Sequence, residues 1–205
     1  MKTTKKGFTL IELIVVIAII GVLAAILVPT MLGYVKKSKI SAANSAASSV
    51  YKAINSALTE LDEEGIDVGG DLILTYTGGT TNKWASGTTT ADTLDAVKDT
   101  AFKRKVANFF ADITKERNVK AAISSGSCVA VACCADSTYC GTYPAGVCTT
   151  DSYTDITPKG AVVPAKALQA AVSIAEGKKV SIDDKGVITV VACDGKYKTV
   201  YGLIK

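Results

Sequence analysis

The residues best suited to chemistry in this 205-residue sequence are its cysteines, and the type that is missing altogether is histidine. There are six cysteines and no histidine. Without histidine the chain has no Ser-His-Asp or Cys-His catalysis, no imidazole ligand for zinc or haem, and no general base of the usual kind near neutral pH. An enzyme would have to rely on a cysteine or a carboxylate, so the composition favours a structural or binding protein over a membrane-anchored enzyme.

The cysteines lie in the second half of the chain, at Cys128, Cys133, Cys134, Cys140, Cys148 and Cys193. An even number of cysteines in an exported chain favours disulfides, but six cysteines allow fifteen connectivities and the sequence does not choose among them. A bridge from Cys193 into the cluster would pin the Cys-rich segment to the last strands. Free thiols are one alternative. The other is a metal site, with Cys128, Cys133, Cys134 and Cys140 as candidate ligands. Their spacing is not the C-x₂-C of common zinc sites, so it favours disulfides over a metal.

The apolar residues are concentrated at the N-terminal end of the chain. Hydrophobic residues make up 48% of the chain, and Leu10–Val28 is a run of them whose one charge is Glu12. At about 1.5 Å per residue, a helix of this length crosses a bilayer core of roughly 30 Å. Lysines precede the run, so the positive-inside rule places the N-terminus in the cytoplasm. The net charge of +4 is too small to indicate a nucleic-acid partner.

The segment KKGFTLIELIVVIAIIGVLAAILVP, from Lys5 to Pro29, resembles the N-terminus of type IV pilins and of the related pseudopilins of type II secretion. The resemblance implies that a prepilin peptidase cuts between Gly7 and Phe8 and methylates the new amine of Phe8. It implies a structural subunit with no enzymatic activity and no cofactor. Such a subunit forms a surface filament used for motility, adhesion, aggregation or DNA uptake. The alternative is a secretion pseudopilin.

The same resemblance implies the partners and the location. The partners are other pilin subunits, in a homo- or hetero-polymer, the prepilin peptidase, and an assembly ATPase with its membrane platform. Before assembly the subunit is a single-pass protein of the inner or cytoplasmic membrane, and after assembly it lies in the cell-surface pilus.

Glu12 has a physical reason to control assembly. An unpaired carboxylate in a membrane costs several kcal/mol and marks a functional residue by default. The amine of Phe8 in a neighbouring subunit would neutralise it, and only the correct axial register would bring the two together. Gly21 and Pro29 weaken the same helix, because glycine and proline cost about 1 and 3 kcal/mol in a helix interior. In the resembling family this stretch can lose helicity on assembly; a simple kink in a membrane helix is the alternative.

The sequence predicts four regions: a leader over 1–7, an apolar segment over 8–28, an amphipathic half-helix over 29–64, and a globular head over 65–205. One long helix should run from Phe8 to about Glu63 and end at Gly65. Its apolar face is predicted at Ile40, Ala43, Ala47, Val50, Ile54, Ala57 and Leu61, and its polar face at Ser41, Asn44, Ser48, Lys52 and Asn55.

In the head, the pattern predicts a strand over 71–77 and a helix from a Thr89 cap to about Thr114. Lys103, Arg104 and Lys105 interrupt that helix and are interpreted as a solvated face, with an acidic partner or DNA as the alternative. A Cys-rich loop over 128–148 and a helix from Pro164 to Glu176 follow. A β-meander over 179–204 should then contain strands at Lys179–Ile182, Val187–Ala192 and Tyr197–Ile204. The fold class is α+β, a pilin fold in which the long N-terminal helix packs on a C-terminal antiparallel sheet.

Overall fold

A computed structural model gives the fold and describes residues 7–66, 70–78, 83–86, 96–115, 118–134, 140–144, 164–182 and 188–204. The chain divides into two compact units, Met1–Ser38 and Lys39–Lys205. In chain order the elements are α1 (Leu10–Glu63), β1 (Leu72–Thr77), β2 (Lys83–Ser86), α2 (Ala96–Phe109), a 3₁₀ helix (Ala111–Lys115), β3 (Asn118–Ser124), β4 (Ser127–Cys134), β5 (Cys140–Tyr143), α3 (Pro164–Ala175), β6 (Val180–Ile182), β7 (Ile188–Val190) and α4 (Lys198–Leu203).

Helix α1 confirms the predicted long helix at both ends to within two residues. It ends because Gly65 takes a positive φ of 74°, which a glycine adopts without strain. The backbone N–H of Ile66 then donates to the carbonyl oxygen of Leu61 at 2.8 Å, which satisfies one of the last carbonyls of the helix. Helix α3 ends in the same way at Gly177, with a φ of 82° and a bond from Lys178 N–H to Ser173 O.

The main sheet has five strands in the order β2-β1-β3-β4-β5, and every neighbouring pair is antiparallel. Strands β3 and β4 form a hairpin whose two turn residues, Ser125 and Gly126, both have positive φ. Such a turn matches the right-handed twist of the strands that it joins. Strand β5 pairs with only the second half of β4, from Val131 to Cys134.

Each face of this sheet is covered by helices, which gives the head two apolar cores. On one face α1 is buried together with α2. All predicted apolar positions of α1 from Ala43 to Leu61 are buried, Ile40 is only partly buried, and Ala53 and Leu58 are buried in addition. On the other face α3 and α4 pack through Leu168, Val172, Val200 and Ile204. The sheet is hydrophobic on both sides because both sides are buried.

Helix α1 also contacts the sheet through two asparagines of its predicted polar face. The Asn44 side-chain oxygen accepts a hydrogen bond from the backbone N–H of Thr142 at 3.0 Å. The Asn55 side-chain oxygen accepts one from the backbone N–H of Cys128, also at 3.0 Å. These N–H groups lie on β5 and on the part of β4 that β5 does not cover, so each asparagine pairs one strand N–H at that edge.

The α+β class, with a long N-terminal helix on an antiparallel sheet, is confirmed, but the sheet lies in the middle of the chain rather than at its C-terminus. The predicted meander over 179–204 is wrong in its third strand. Residues Tyr197, Val200, Tyr201 and Ile204 are spaced i, i+3, i+4, i+7, which is a helical period, and α4 forms there. Strands β6 and β7 make a separate two-stranded sheet, and the strand predicted over 71–77 joins the main sheet as β1.

The predicted Cys-rich loop is also wrong for its described residues. Cys128, Cys133 and Cys134 lie on β4, and Cys140 begins β5. The segment SCVAVACC is a short apolar run buried on both faces, which is typical of an internal strand. The predicted Thr89 helix cap lies outside the described residues, and α2 is described from Ala96 onward.

Candidate functional site

The first turn of α1 is built around Glu12 and Thr9. The Glu12 Oε2 atom accepts hydrogen bonds from the backbone N–H of Thr9 at 2.8 Å and from the Thr9 hydroxyl at 2.7 Å. The Thr9 hydroxyl oxygen in turn accepts a longer bond, 3.4 Å, from the backbone N–H of Glu12. This reciprocal arrangement is a capping box, which satisfies donors that the first turn of a helix otherwise leaves unpaired.

Sequence reasoning identified Glu12 but missed Thr9. The signal was present in the spacing, because Thr9-x-x-Glu12 is the sequence signature of a capping box before an apolar run. The structural consequence is that the carboxylate is fixed in direction by its own helix. Its Oε2 atom is engaged by Thr9, while Oε1 takes part in none of the three bonds.

Glu12 lies within a continuous exposed apolar surface. Every large apolar side chain from Leu10 to Val35 is exposed, with fractions between 44% for Val35 and 77% for Leu10. Among the described residues, α1 is the one helix whose length and hydropathy would allow it to cross a membrane, and its most apolar window is 0% buried. An apolar surface of this extent marks a site of membrane or protein contact.

Gly7 and Phe8 precede the helix in a segment without regular secondary structure. The Phe8 side chain is 90% exposed, and nothing lies within 4 Å of a Cβ atom built at Gly7. Exposed segments without regular secondary structure are the usual sites of proteolysis. The three predicted topogenic lysines, Lys2, Lys5 and Lys6, lie outside the described residues.

The two predicted weak points of α1, Gly21 and Pro29, both lie inside the helix as it stands. Pro29 has no N–H to donate to the carbonyl oxygen of Ala25, so one backbone hydrogen bond of the helix is missing there. The Thr30 hydroxyl donates to the carbonyl oxygen of Leu27 at 2.8 Å, one turn back. The Thr30 hydroxyl thus adds a hydrogen bond to the helix backbone next to Pro29, on the carbonyl of Leu27 rather than on that of Ala25.

The cysteines divide between the two faces of the main sheet. Cys134 and Cys140 are opposite each other on β4 and β5 and form a disulfide on the α3 face. Cys128 and Cys133 belong to the core on the α1 face, and neither they nor Cys193 form a disulfide in the part of the chain described. Cys148 lies outside the described residues. Cys193 packs beside α3 and forms no disulfide with the described cysteines, so the conditional bridge from Cys193 is not formed with them.

This distribution overturns the predicted alternative of a metal site at Cys128, Cys133, Cys134 and Cys140. Two of the four sulfurs are consumed by the disulfide, and the other two lie on the opposite side of the sheet. The described residues contain no cluster of metal-binding side chains. Burial raises the pKa of the Cys128 thiol strongly, and burial is also the main cause that raises the pKa of Cys193 to about 11. Both groups therefore remain protonated at neutral pH.

The basic cluster of α2 is not one solvated face. Lys103 and Arg104 are exposed, but Lys105 is buried, with 8% of its surface accessible. Its Nζ atom contacts Glu64 Oε1 at 2.8 Å and Glu60 Oε2 at 3.0 Å. Hydrogen bonds to Glu64 and Glu60 raise the pKa of Lys105, so it stays charged. Lys105 thereby ties α2 to the end of α1.

The geometry defines a class: a protein whose N-terminal apolar helix is exposed, carries one capped carboxylate and continues into an α+β head. Residues 2–28 match the family described as the prokaryotic N-terminal methylation motif. The chain thus carries this motif at its N-terminus, over most of the segment on which the resemblance rests.

Three similar proteins carry the names of fimbrial or pilin proteins. The chain is 45% identical to the type IV major fimbrial protein FimA of Dichelobacter nodosus over 67 residues, 33% of this chain and 42% of that protein. It is 43% identical to fimbrial protein Q of Moraxella bovis over 81 residues, 37% of this chain and 52% of that protein. It is 46% identical over 57 residues to the type IV major pilin protein PilA of Myxococcus xanthus (strain DK1622), 28% of this chain and 26% of that protein.

The chain therefore spans about half or less of the length of these relatives. No solved structure gives a significant match. The similarity to pilins is thus partial in length, and the head is described from its own contacts.

Proposed function

We propose that this chain is the structural subunit of a type IV pilus. The observation that carries the proposal is the exposed apolar surface of α1 with a single carboxylate capped at its first turn, within the matched methylation motif. The three relatives named above are fimbrial or pilin proteins, which favours a pilus over a secretion pseudopilus. A structural polymer needs no catalytic group, and no cofactor enters the proposal.

In this account a prepilin peptidase removes residues 1–7, cutting between Gly7 and Phe8, and methylates the Phe8 amine. Residues 8–28 then hold the subunit in the inner or cytoplasmic membrane, with the lysines on the cytoplasmic side. The amphipathic half over 29–64 connects this segment to the head over 65–205. An assembly ATPase and its platform transfer the subunit from the membrane into the surface filament, with subunits of this or a related chain as neighbours.

Two neighbouring subunits would then meet through Glu12. The capping box fixes Glu12 Oε2 on Thr9, which directs the carboxylate, and Oε1 is available to the Phe8 amine of the next subunit. Inside an apolar filament, a carboxylate without a partner would cost about 3–5 kcal/mol. Only the register that pairs the two charges avoids this cost. Gly21 and Pro29 would let the helix lose helicity locally on assembly.

The test is to follow Glu12→Leu and Glu12→Asp in the membrane and in the fraction sheared from cells. Glu12→Leu should insert in the membrane as the wild type does but be almost absent from the sheared filaments. Glu12→Asp keeps the charge on a shorter side chain and should incorporate partly. Normal incorporation of Glu12→Leu would refute the register role. The proposal itself would fail if the wild-type chain were absent from sheared filaments.

A further inference from the structure

A cleft in the head is not used by any step of the proposed assembly. It lies within the unit Lys39–Lys205 and has a volume of about 500 Å³, within the usual range for small-molecule sites of roughly 300–1,000 Å³. Its described walls come from α1, the β3–β4 hairpin, the end of β5, the end of α3 and the start of α4. Several elements therefore converge on one concave surface.

The chemistry of the lining is polar and aromatic rather than purely apolar. Three tyrosines, Tyr51, Tyr143 and Tyr197, line the cleft together with three serines of the β3–β4 hairpin. The rings of Tyr51 and Tyr143 pack against each other, with centroids 4.4 Å apart and planes tilted by 44°, and both are half-buried. The two half-buried rings offer an apolar contact surface, and the surrounding hydroxyl groups both donate and accept hydrogen bonds.

Lys196 is the one ionised side chain among the described lining residues. It is exposed, and its Nζ atom lies 5.3 Å from the centre of the Tyr197 ring. A single ammonium group complements one negative charge. A nucleotide phosphate would call for more cationic groups, and a peptide would call for apolar pockets or free strand edges. At the nearby edge of β4, the backbone N–H of Cys128 already donates to the side-chain oxygen of Asn55 and is not available to a peptide strand.

We propose that this cleft binds a sugar that carries a carboxylate, such as a uronic acid unit of a polysaccharide. One face of the sugar ring stacks on the Tyr143 ring, which Tyr51 supports from its other side, its hydroxyls bond to the serines and tyrosines, and its carboxylate pairs with Lys196. The site is a property of the single subunit, so its test does not depend on filament assembly.

The experiment uses the full chain in micelles of a detergent without a sugar head group. Binding of galacturonate is measured by saturation-transfer NMR, with galactose as the neutral probe and acetate as the probe for the charge alone. Galacturonate should bind about fivefold more tightly than galactose, because an exposed ion pair contributes up to about 1 kcal/mol. Acetate should show no saturable binding.

Variants assign the binding to the cleft. Lys196→Gln should weaken galacturonate about fivefold, whereas the matched control Lys198→Gln, on α4 and outside the lining, should leave it unchanged. Tyr143→Ala should weaken both sugars about tenfold through lost stacking, and thermal unfolding checks that it folds. If it does not fold, Lys196→Gln decides alone.

The proposal is overturned if galacturonate does not bind the wild-type chain, if acetate binds as tightly as galacturonate, or if Lys196→Gln and Lys198→Gln behave alike.

Discussion

Substitution of Gly141 tests how closely the head is packed against α1. A Cβ atom added there would overlap the carbonyl group of Ala43 and lie 2.5 Å from the backbone nitrogen of Asn44. Because the obstacle is helix backbone, it cannot rotate away as a side chain would. Gly141→Ala must therefore push β5 away from α1, which also strains the bond from Thr142 N–H to Asn44 Oδ1.

The expected cost has two parts. Overpacking of a rigid contact costs about 1–3 kcal/mol, and the loss of one buried hydrogen bond adds about 1 kcal/mol. For a chain of this size each kcal/mol lowers the Tm by about 2–4 °C. Gly141→Ala should thus lower the Tm of the head by roughly 4–16 °C, measured by circular dichroism on the purified full chain.

Gly202→Ala is the matched control, because Gly202 lies in α4 with nothing within 4 Å of an added Cβ atom. Alanine in a helix is favoured over glycine by about 0.5–1 kcal/mol, so this variant should melt at or slightly above the wild-type temperature. If Gly141→Ala melted as Gly202→Ala does, the close approach of β5 to α1 would be refuted.

Three further predictions concern polar and covalent contacts. Lys105→Ala should lower the Tm more than Lys103→Ala; because the pKa of Lys105 is raised, this difference should persist through neutral pH and disappear only as the pH rises beyond the ordinary lysine value of 10.5. Cys134→Ser should destabilise the head by about 2 kcal/mol, by the loop-entropy estimate for a six-residue separation, and peptide mapping without reductant should recover Cys134 linked to Cys140. Thr9→Val should lower filament yield while Thr9→Ser retains it, because only the hydroxyl completes the capping box.

The parts of the fold that local patterns determine were predictable. The end of α1 follows from Gly65 after a 3.6-residue apolar period, and α3 follows from Pro164 and Gly177. Strand order was not predictable, because the pairing of β1 with β3 joins residues far apart in sequence and leaves no local signal. The error at Tyr197–Ile204 has a different origin: eight residues are too few to separate alternation from helical spacing without the core that buries Val200.

The residue types of the candidate site at the start of α1 could be predicted from the sequence, whereas the tertiary contacts of polar side chains in the head could not. Glu12 is conspicuous as the one charge in an apolar run, and Thr9 three residues before it could have been recognised. The roles of Asn44 and Asn55 could not, because a polar residue beside a helical apolar face is as compatible with solvent as with an unpaired strand N–H. The burial of Lys105 likewise depends on Glu60 and Glu64, which approach it only in the folded head.

The most direct test of the proposed function, in which the chain is cleaved before Phe8 and α1 becomes the assembly segment of a filament, is intact-mass measurement of filaments sheared from cells that express the chain. We expect the sheared fraction to contain this chain without its first seven residues, beginning at Phe8 and carrying one added methyl group. A chain that keeps residues 1–7, or that is found in the membrane but never in sheared filaments, would contradict it.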